Sequence, residues 1–180
     1  MPAGRTHDRI TLWSLPVVAV AAVAIGRSST VALAVTGAFL FSGLMFGPDL
    51  DVRSRQFARW GWLRWIWLPY QRALAHRSVL SHGPILGTVL RVLYLGGCLA
   101  AIAAAGLAIA QALGDSAPRW QSWVTRTGRW LAQHRVAVAA SFVGLELGAM
   151  SHTLSDGAQS LRRRLRRSPR AARDKKRRPR

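Results

Sequence analysis

Long apolar runs, rather than amphipathic periods, dominate the hydrophobic pattern of this chain. Four segments carry almost no charge, and they span residues 10–25, 31–46, 92–113 and 136–150. A helix of about 20 apolar residues crosses the hydrocarbon core of a bilayer, and local thinning accommodates shorter ones. The pattern therefore predicts an all-α fold, an integral membrane helical bundle with about four transmembrane helices. Small residues in these segments are expected to let the helices approach closely: Gly37, Gly43, Gly97, Gly106 and Gly148.

Aromatic and basic residues alternate between the second and third apolar segments. Residues 53–70 contain four tryptophans together with Arg55, Arg59 and Arg64. Tryptophan favours the headgroup level of a bilayer, and arginine attracts anionic lipid. We therefore expect an interfacial helix there, and a second one on the opposite face around Trp120, Trp123 and Trp130.

The first apolar segment has a competing interpretation as a secretory signal peptide. Arg5 and Arg9 precede it, and Ala22, Val23 and Ala24 provide small residues of the kind found at cleavage sites. Another apolar segment follows directly, with no soluble domain between the two, which favours a membrane span.

Charge sets the expected orientation. The chain has 26 Lys and Arg against seven acids, and twelve of the basic residues fall within residues 161–180. Basic loops stay in the cytoplasm, so four spans place both termini there, with 21 basic residues on that side against five outside. The expected location is the bacterial inner membrane, as a multi-pass protein.

This pattern divides the chain into a four-span membrane domain, residues 1–160, and a basic cytoplasmic tail, residues 161–180. The tail has too little apolar content to fold alone, so we expect it to be disordered and to contact anionic lipid headgroups. Charge alone would permit nucleic-acid binding, but no stacking platform supports it. A single cysteine, Cys98, excludes an intrachain disulfide and a Cys-based zinc site.

Most of the rare histidines and acids fall at the predicted cytoplasmic ends of the four spans. They form four pairs: His7 and Asp8, Asp49 and Asp51, His76 and His82, and His152 and Asp156. Each pair alone could be ordinary polar surface. Together they favour a metal site, because imidazole and carboxylate bind zinc, manganese or iron when thiolates are absent.

The spacing within the pairs predicts how they are presented. His152 and Asp156 are four apart and share a helix face. His76 and His82 are six apart, which predicts a loop or broken helix, with Ser81 or His82 capping the third span. Arg77, beside that helix start, would bind an anionic group.

Two other polar residues lie apart from these pairs. Glu146 lies inside the fourth span, where an ionisable group is costly, so it is either a partner of the site or a protonated structural residue. His134 falls on the predicted external side and is left out of the site.

Four motifs carry a resemblance to a known family. "AGRTHDRITLW", "GPDLDVRS", "HRSVLSHGP" and "SHTLSDG" resemble the motifs of small bacterial membrane proteins called uncharacterised metal-binding proteins and, more distantly, those of membrane-bound metal-dependent hydrolases. The resemblance covers residues 1–160. It implies metal ligation by His7, Asp49, Asp51, His76, His82, His152 and Asp156. The hydrolase pattern has glycine where this chain has Ser78.

These observations leave two hypotheses for function. The first is a metal-dependent hydrolase of phosphorylated or lipid substrates at the cytoplasmic face, with His7 and Arg77 as catalytic residues and zinc, or else manganese or iron, as the divalent ion. The second is a non-enzymatic protein whose ion holds four helix ends together. A metal transporter fits less well, because the polar residues lie at the ends of the spans rather than near the midplane.

Overall fold

The protein is helical throughout the part of the chain that the structure describes. This computed structural model describes residues 3–76, 78–114 and 120–177, with side chains up to residue 160 apart from 3 and 159. The α-helices are α1 (Ala3–Gly26), α2 (Ser29–Leu44), α3 (Arg55–Arg59), α4 (Leu68–Ala73), α5 (Val79–His82), α6 (Leu86–Ala112), α7 (Trp120–Gln133) and α8 (Arg135–Arg177). Two 3₁₀ helices cover Pro48–Asp51 and Gly61–Trp67. The all-α prediction is confirmed.

Four of these elements match the predicted spans. The stretches that are long and apolar enough to cross a membrane are Gly4–Gly26, Ser29–Asp51, Leu86–Ala112 and Arg135–Ala158. This criterion concerns length and composition alone. It supports the predicted number of spans, whose helices begin earlier than the apolar runs suggest.

Helices α1, α2 and α8 form the packed centre of the bundle. A Cβ atom added at Gly148 of α8 would lie 2.7 Å from the carbonyl oxygen of Phe39 on α2, and one at Gly144 would collide with Val35. On the other side of α2, Gly43 packs against Thr11 of α1. Small residues let helix backbones approach closely. Gly43 and Gly148 were expected at such contacts.

Three other glycines predicted at helix contacts are not there. Gly37, Gly97 and Gly106 have no atom within 4 Å of the position their Cβ would take. Two of them belong to α6, of whose most apolar window nothing is buried inside the structure. Glycine content alone therefore did not identify the packed helices.

The segment expected to be one interfacial helix is three short ones instead. Gly61 adopts a positive φ of 56°, which ends the helical path after α3, and a 3₁₀ helix and α4 follow. Trp67 is fully buried against Phe46, Leu50 and Tyr70, whereas Trp62 and Trp65 are exposed. The prediction was wrong for Trp67, because an aromatic pattern does not distinguish a core residue from an interfacial one.

The start of α6 also differs from expectation. Ser78 caps the short helix α5, accepting a hydrogen bond from the Ser81 backbone N–H, and neither Ser81 nor His82 caps α6. The residue before α6 is Ile85, whose positive φ of 63° is strained for a β-branched side chain. Its N–H donates to Glu146 Oε1 at 2.9 Å. Glu146 thus holds the beginning of α6 in place.

Helix α8 continues far beyond the fourth span, through Arg177. Residues 161–177 are therefore helical, where the sequence was expected to be disordered. A helix that is already formed extends without a new nucleation cost, and arginine, alanine and leucine are strong helix formers. Helix α7 contains three of the tryptophans expected in a second surface helix, and none of its residues is buried.

Candidate metal centre

The structure brings seven of the predicted site residues together at one end of the long helices. His7 lies on α1, Asp49 and Asp51 on the 3₁₀ helix after α2, His76 in the loop after α4, His82 on α5, and His152 and Asp156 on α8. The eighth predicted residue, Arg77, lies outside the described residues. The polar ends of the four long helices thus supply one cluster of imidazoles and carboxylates.

Three of these residues form an inner group: His7, His152 and Asp156. One ligand atom from each lies within 4.8 Å of the others. His7 Nε2 is 3.0 Å from Asp156 Oδ1, and the two imidazole rings meet edge to face with centroids 3.8 Å apart. Both histidine side chains are at most 5% exposed. The inner group is therefore a buried set of two nitrogens and one carboxylate.

The hydrogen-bond partner of His7 Nδ1 shows that the lone pair of the ring lies on Nε2. Ser155 Oγ lies 2.6 Å from His7 Nδ1, and it also donates to the carbonyl oxygen of His152 at 2.8 Å. Because a hydroxyl has one proton, we assign the His7 proton to Nδ1, donating to Ser155. His7 Nε2 then presents a lone pair toward the Asp156 carboxylate, and no hydrogen bond joins these two atoms. A cation between them would reconcile the two acceptors.

A second set of three, Asp49, His76 and His82, forms the outer group, whose ligand atoms likewise lie within 4.8 Å of one another. Asp51 supports both of its histidines and is itself completely buried. His76 Nδ1 donates to Asp51 Oδ1 at 3.0 Å, and His82 Nδ1 lies 3.6 Å from Asp51 Oδ2. A carboxylate behind a ligating histidine fixes the ring and raises its basicity.

Ser81 fixes the orientation of His82. Ser81 Oγ is 2.9 Å from His82 Nδ1, and it faces the Ser78 carbonyl oxygen at 3.2 Å, to which it donates. His82 Nδ1 is then the donor to Ser81, which leaves Nε2 with a lone pair. Nε2 is buried and has no hydrogen-bond partner. In the outer group, as in the inner group, the imidazole nitrogen left with a lone pair is therefore Nε2.

Asp49 belongs to the outer group and also approaches the inner group. Its Oδ2 is 3.1 Å from His152 Nε2 in the inner group, and its Oδ1 is 3.7 Å from His82 Nε2 in the outer group. The Asp49 side chain is 23% exposed. One carboxylate thus faces histidine nitrogens on both sides.

The donor set fits a divalent metal. Three imidazole Nε2 atoms, those of His7, His82 and His152, are buried without a hydrogen-bond partner, as is Asp51 Oδ2. An unsatisfied buried polar atom costs about 1–3 kcal/mol, so this concentration of them is expensive unless something binds there. Imidazole and carboxylate without thiolate suit zinc, manganese or iron.

Asp8 does not belong to this donor set. Arg59 binds both Asp8 carboxylate oxygens, at 2.9 and 2.8 Å, and Arg55 approaches to 2.9 Å. The carboxylate is thereby neutralised by two guanidinium groups and ties α1 to α3. Its neighbour His7 is the member of this sequence pair that reaches the centre.

An open cleft of about 690 Å³ leads to the centre. His7, Asp49, His76 and Asp156 line it, and its other lining residues include Arg53 and Arg55. Arg53 is exposed and has no ion-pair partner among the described residues. Sequence reasoning placed the anion-binding side at Arg77 and missed Arg53, although Arg53 follows Asp51 directly in the "DLDVRS" motif.

A buried arginine supports the outer group from behind. Arg91 of α6 is 1% exposed, and it donates to the Ser81 carbonyl oxygen and to Thr88 Oγ1, both at 2.9 Å. Nearby, burial raises the pKa of the Tyr70 phenol above its usual value, so Tyr70 stays neutral. The contact with Ser81 links α6 to the residue that orients His82.

Comparison with known proteins agrees with this arrangement of donors. The family model described as "Uncharacterized metal-binding protein (DUF2227)" matches residues 2–166. The chain belongs to this family. The expected metal-binding family is thereby confirmed, and the match takes in all seven residues of the DUF2227 chain that meet at the centre.

A protein of Aquifex aeolicus (strain VF5), described only as uncharacterised, is 34% identical over 58 residues. That match covers 32% of this chain and 40% of the Aquifex protein, so the chain spans less than half of that relative's length. No solved structure matches the chain significantly. The likeness to membrane-bound hydrolases has no counterpart among these matches.

Proposed function

We propose that this DUF2227 protein is a membrane-embedded, metal-dependent hydrolase of phosphoester-type substrates, with its centre at the cytoplasmic face of the inner membrane. The observation that carries the proposal is His7 Nε2, a buried acceptor nitrogen 3.0 Å from an Asp156 oxygen with no hydrogen bond between them. A divalent cation between the two atoms would explain this geometry and the other unpaired imidazole nitrogens.

Membrane embedding is supported by the surface of α6. Its large apolar side chains Leu99, Ile102 and Ile109 are more than half exposed. Such a surface is costly in water and favourable in hydrocarbon. The excess of Lys and Arg on the loops at the centre's end supports a cytoplasmic orientation. The cleft would then open at the level of the lipid headgroups.

The chemistry divides between the ion and the chain. A bound divalent ion lowers the pKa of water to about 7 and polarises a phosphoryl oxygen. The histidines and carboxylates that line the cleft, His76 among them, would hold it there, and Arg53 would bind the phosphate through its exposed guanidinium. His7 serves as a ligand in this proposal rather than as an acid or base, because Ser155 already occupies its second nitrogen.

A non-enzymatic role has its own support. The inner group connects α1 to α8, Asp49 of the 3₁₀ helix after α2 approaches it, and its two histidines are buried. An ion there would join three elements, as structural metals do. The cleft lined by Arg53 favours the hydrolase, because a purely structural site needs no open approach.

The test uses detergent-purified full-length protein, stripped of metal and reloaded separately with zinc, manganese or iron. Phosphomonoester and phosphodiester substrates should be hydrolysed by at least one loaded form and not by the stripped form. His76→Ala should abolish turnover, whereas the matched control His134→Ala should retain it, since His134 stacks on Trp130 just before α8 begins, about five helical turns from His152. A loaded, folded protein without turnover on either substrate class would favour the structural role.

A further inference from the structure

We infer that the centre holds two divalent ions bridged by the Asp49 carboxylate, a buried inner ion and an exchangeable outer one. The inference rests on the proposed metal centre, but it does not require that the protein be a hydrolase.

The donors are numerous enough for two ions. The inner group offers one ligand atom each from His7, His152 and Asp156, and the outer group offers one each from His76, His82 and Asp49. Ligand atoms around one ion lie about 2.0–2.2 Å from it, so they must be within about 4.4 Å of one another. Within 4.8 Å, slightly above that limit, the donors form two sets of three.

Asp49 is placed to bind an ion in each group. Its two oxygens face different groups, with Oδ2 at 3.1 Å from His152 Nε2 and Oδ1 at 3.7 Å from His82 Nε2. In two-metal sites the ions lie about 3.5–4 Å apart. Asp49 therefore gives the inner set a fourth donor, while it completes the outer set of three.

The net charge of the centre also depends on the number of ions. Three carboxylates belong to the centre, those of Asp49, Asp51 and Asp156, and the histidines are neutral as ligands. One divalent ion would leave the centre with a net charge of about −1, whereas two ions give about +1. The positive balance favours an anion in the cleft, as Arg53 does, whether or not that anion is hydrolysed.

The histidines of the two groups differ in their exposure to solvent. The inner histidines His7 and His152 are 5% and 3% exposed, whereas His76 in the outer group is 41% exposed. His76 also lies in a loop, while the inner ligands His7 and His152 lie on long helices. The outer ion should consequently leave and return faster than the inner one.

The experiment measures metal content and release in the detergent-purified full-length chain. Loaded with manganese and freed of excess, the wild type should contain two ions per chain and give the exchange-coupled electron paramagnetic resonance spectrum of a bridged pair. A chelator should remove the ions in two phases, at least tenfold apart in rate. His76→Ala should retain one ion, lose the coupled spectrum and release its ion in the slow phase only, whereas His134→Ala should behave as wild type.

A single ion per wild-type chain at saturating manganese, or two ions without magnetic coupling, would overturn the inference. These readouts need only the wild type, so a misfolded variant would not prevent the test. Two coupled ions without hydrolysis would contradict the proposed enzyme and leave this inference standing. A single ion together with hydrolysis would contradict this inference and support the proposed enzyme.

Discussion

The inner and outer groups of the metal centre use the same kinds of donor but are built on different scaffolds. The inner group takes His152 and Asp156 from consecutive turns of α8 and His7 from α1, so rigid helices set its geometry. The outer group takes His76 from a loop and His82 from the four-residue helix α5. Both groups line the cleft, but the comparison indicates a division of roles, in which the inner group supports the bundle and the outer group contains the most exposed histidine, His76.

Each group has its own supporting residues. Ser155 fixes His7 in the inner group, while Asp51 and Ser81 fix the outer histidines. The outer support reaches further, because Arg91 holds the Ser81 backbone from α6. Mutations can therefore weaken one group at a time, which is how the following predictions test the difference between them.

The largest effect is expected from His152→Ala. It removes an inner ligand that is 3% exposed and leaves Asp49 without its partner on that side. We expect loss of the inner ion and a fall of about 3 kcal/mol in the free energy of unfolding, because an ion present at about 100 times its Kd stabilises the folded state by about 2.7 kcal/mol. Thermal unfolding with and without chelator measures this. A variant as stable as wild type would contradict the supporting role of the inner group.

His76→Ala should affect activity more than stability. The side chain is 41% exposed and lies in a loop, so removing it should lower the free energy of unfolding by about 1–1.5 kcal/mol, through the lost hydrogen bond to Asp51, which is half or less of the loss expected for His152→Ala. Hydrolysis should nevertheless disappear with the outer ion. Paired measurement of unfolding and of phosphoester turnover checks this. If the variant unfolds as readily as His152→Ala, the two groups do not differ in the proposed way.

The serine variants should weaken metal binding one group at a time. Ser155→Ala leaves His7 Nδ1 without its partner, and Ser81→Ala does the same to His82. Residues that orient a ligand typically contribute 10–100-fold to metal affinity. Calorimetric titration should show a loss of this size in the tighter binding step for Ser155→Ala and in the weaker step for Ser81→Ala. Equal losses in both steps for either variant would contradict separate support.

The smallest effect is expected at Glu146. Glu146→Ala removes the acceptor for the Ile85 N–H, a hydrogen bond worth about 0.5–1.5 kcal/mol. Glu146→Gln is the matched control, because its amide oxygen can still accept that bond. We expect a modest stability loss for alanine and almost none for glutamine, measured by chemical unfolding. A large loss with glutamine would mean that the charge of Glu146, and not its hydrogen bond, matters.

The spacing of His152 and Asp156 was easier to interpret than that of His76 and His82, for a physical reason. The spacing of His152 and Asp156 is a helix repeat, and helix periodicity is the strongest pattern in a sequence. The spacing of His76 and His82 excluded a shared helix face, but it could not reveal that the rings approach to 5.2 Å between centroids. That approach depends on Asp51, on α5 and on contacts between residues distant in the chain.

Other parts of the fold depended on tertiary contacts that no local pattern contains. The burial of Trp67 follows from the hydrophobic cluster around Phe46, and the hydrogen bond of Glu146 follows from a strained residue at the start of α6. The four long helices, by contrast, were predictable from hydropathy alone. The polar ends of those helices were predictable as a set, since one topology brings them to the same end.

The central claim, that the clustered histidines bind metal, is tested most directly by X-ray absorption spectroscopy of the loaded wild-type protein in detergent. The account predicts nitrogen and oxygen ligands at about 2.0–2.2 Å with the outer-shell scattering of about two imidazoles per ion. His152→Ala and His76→Ala should each reduce that scattering, and His134→Ala should not. An ion surrounded by oxygen alone, without imidazole scattering in the wild type, would contradict the claim.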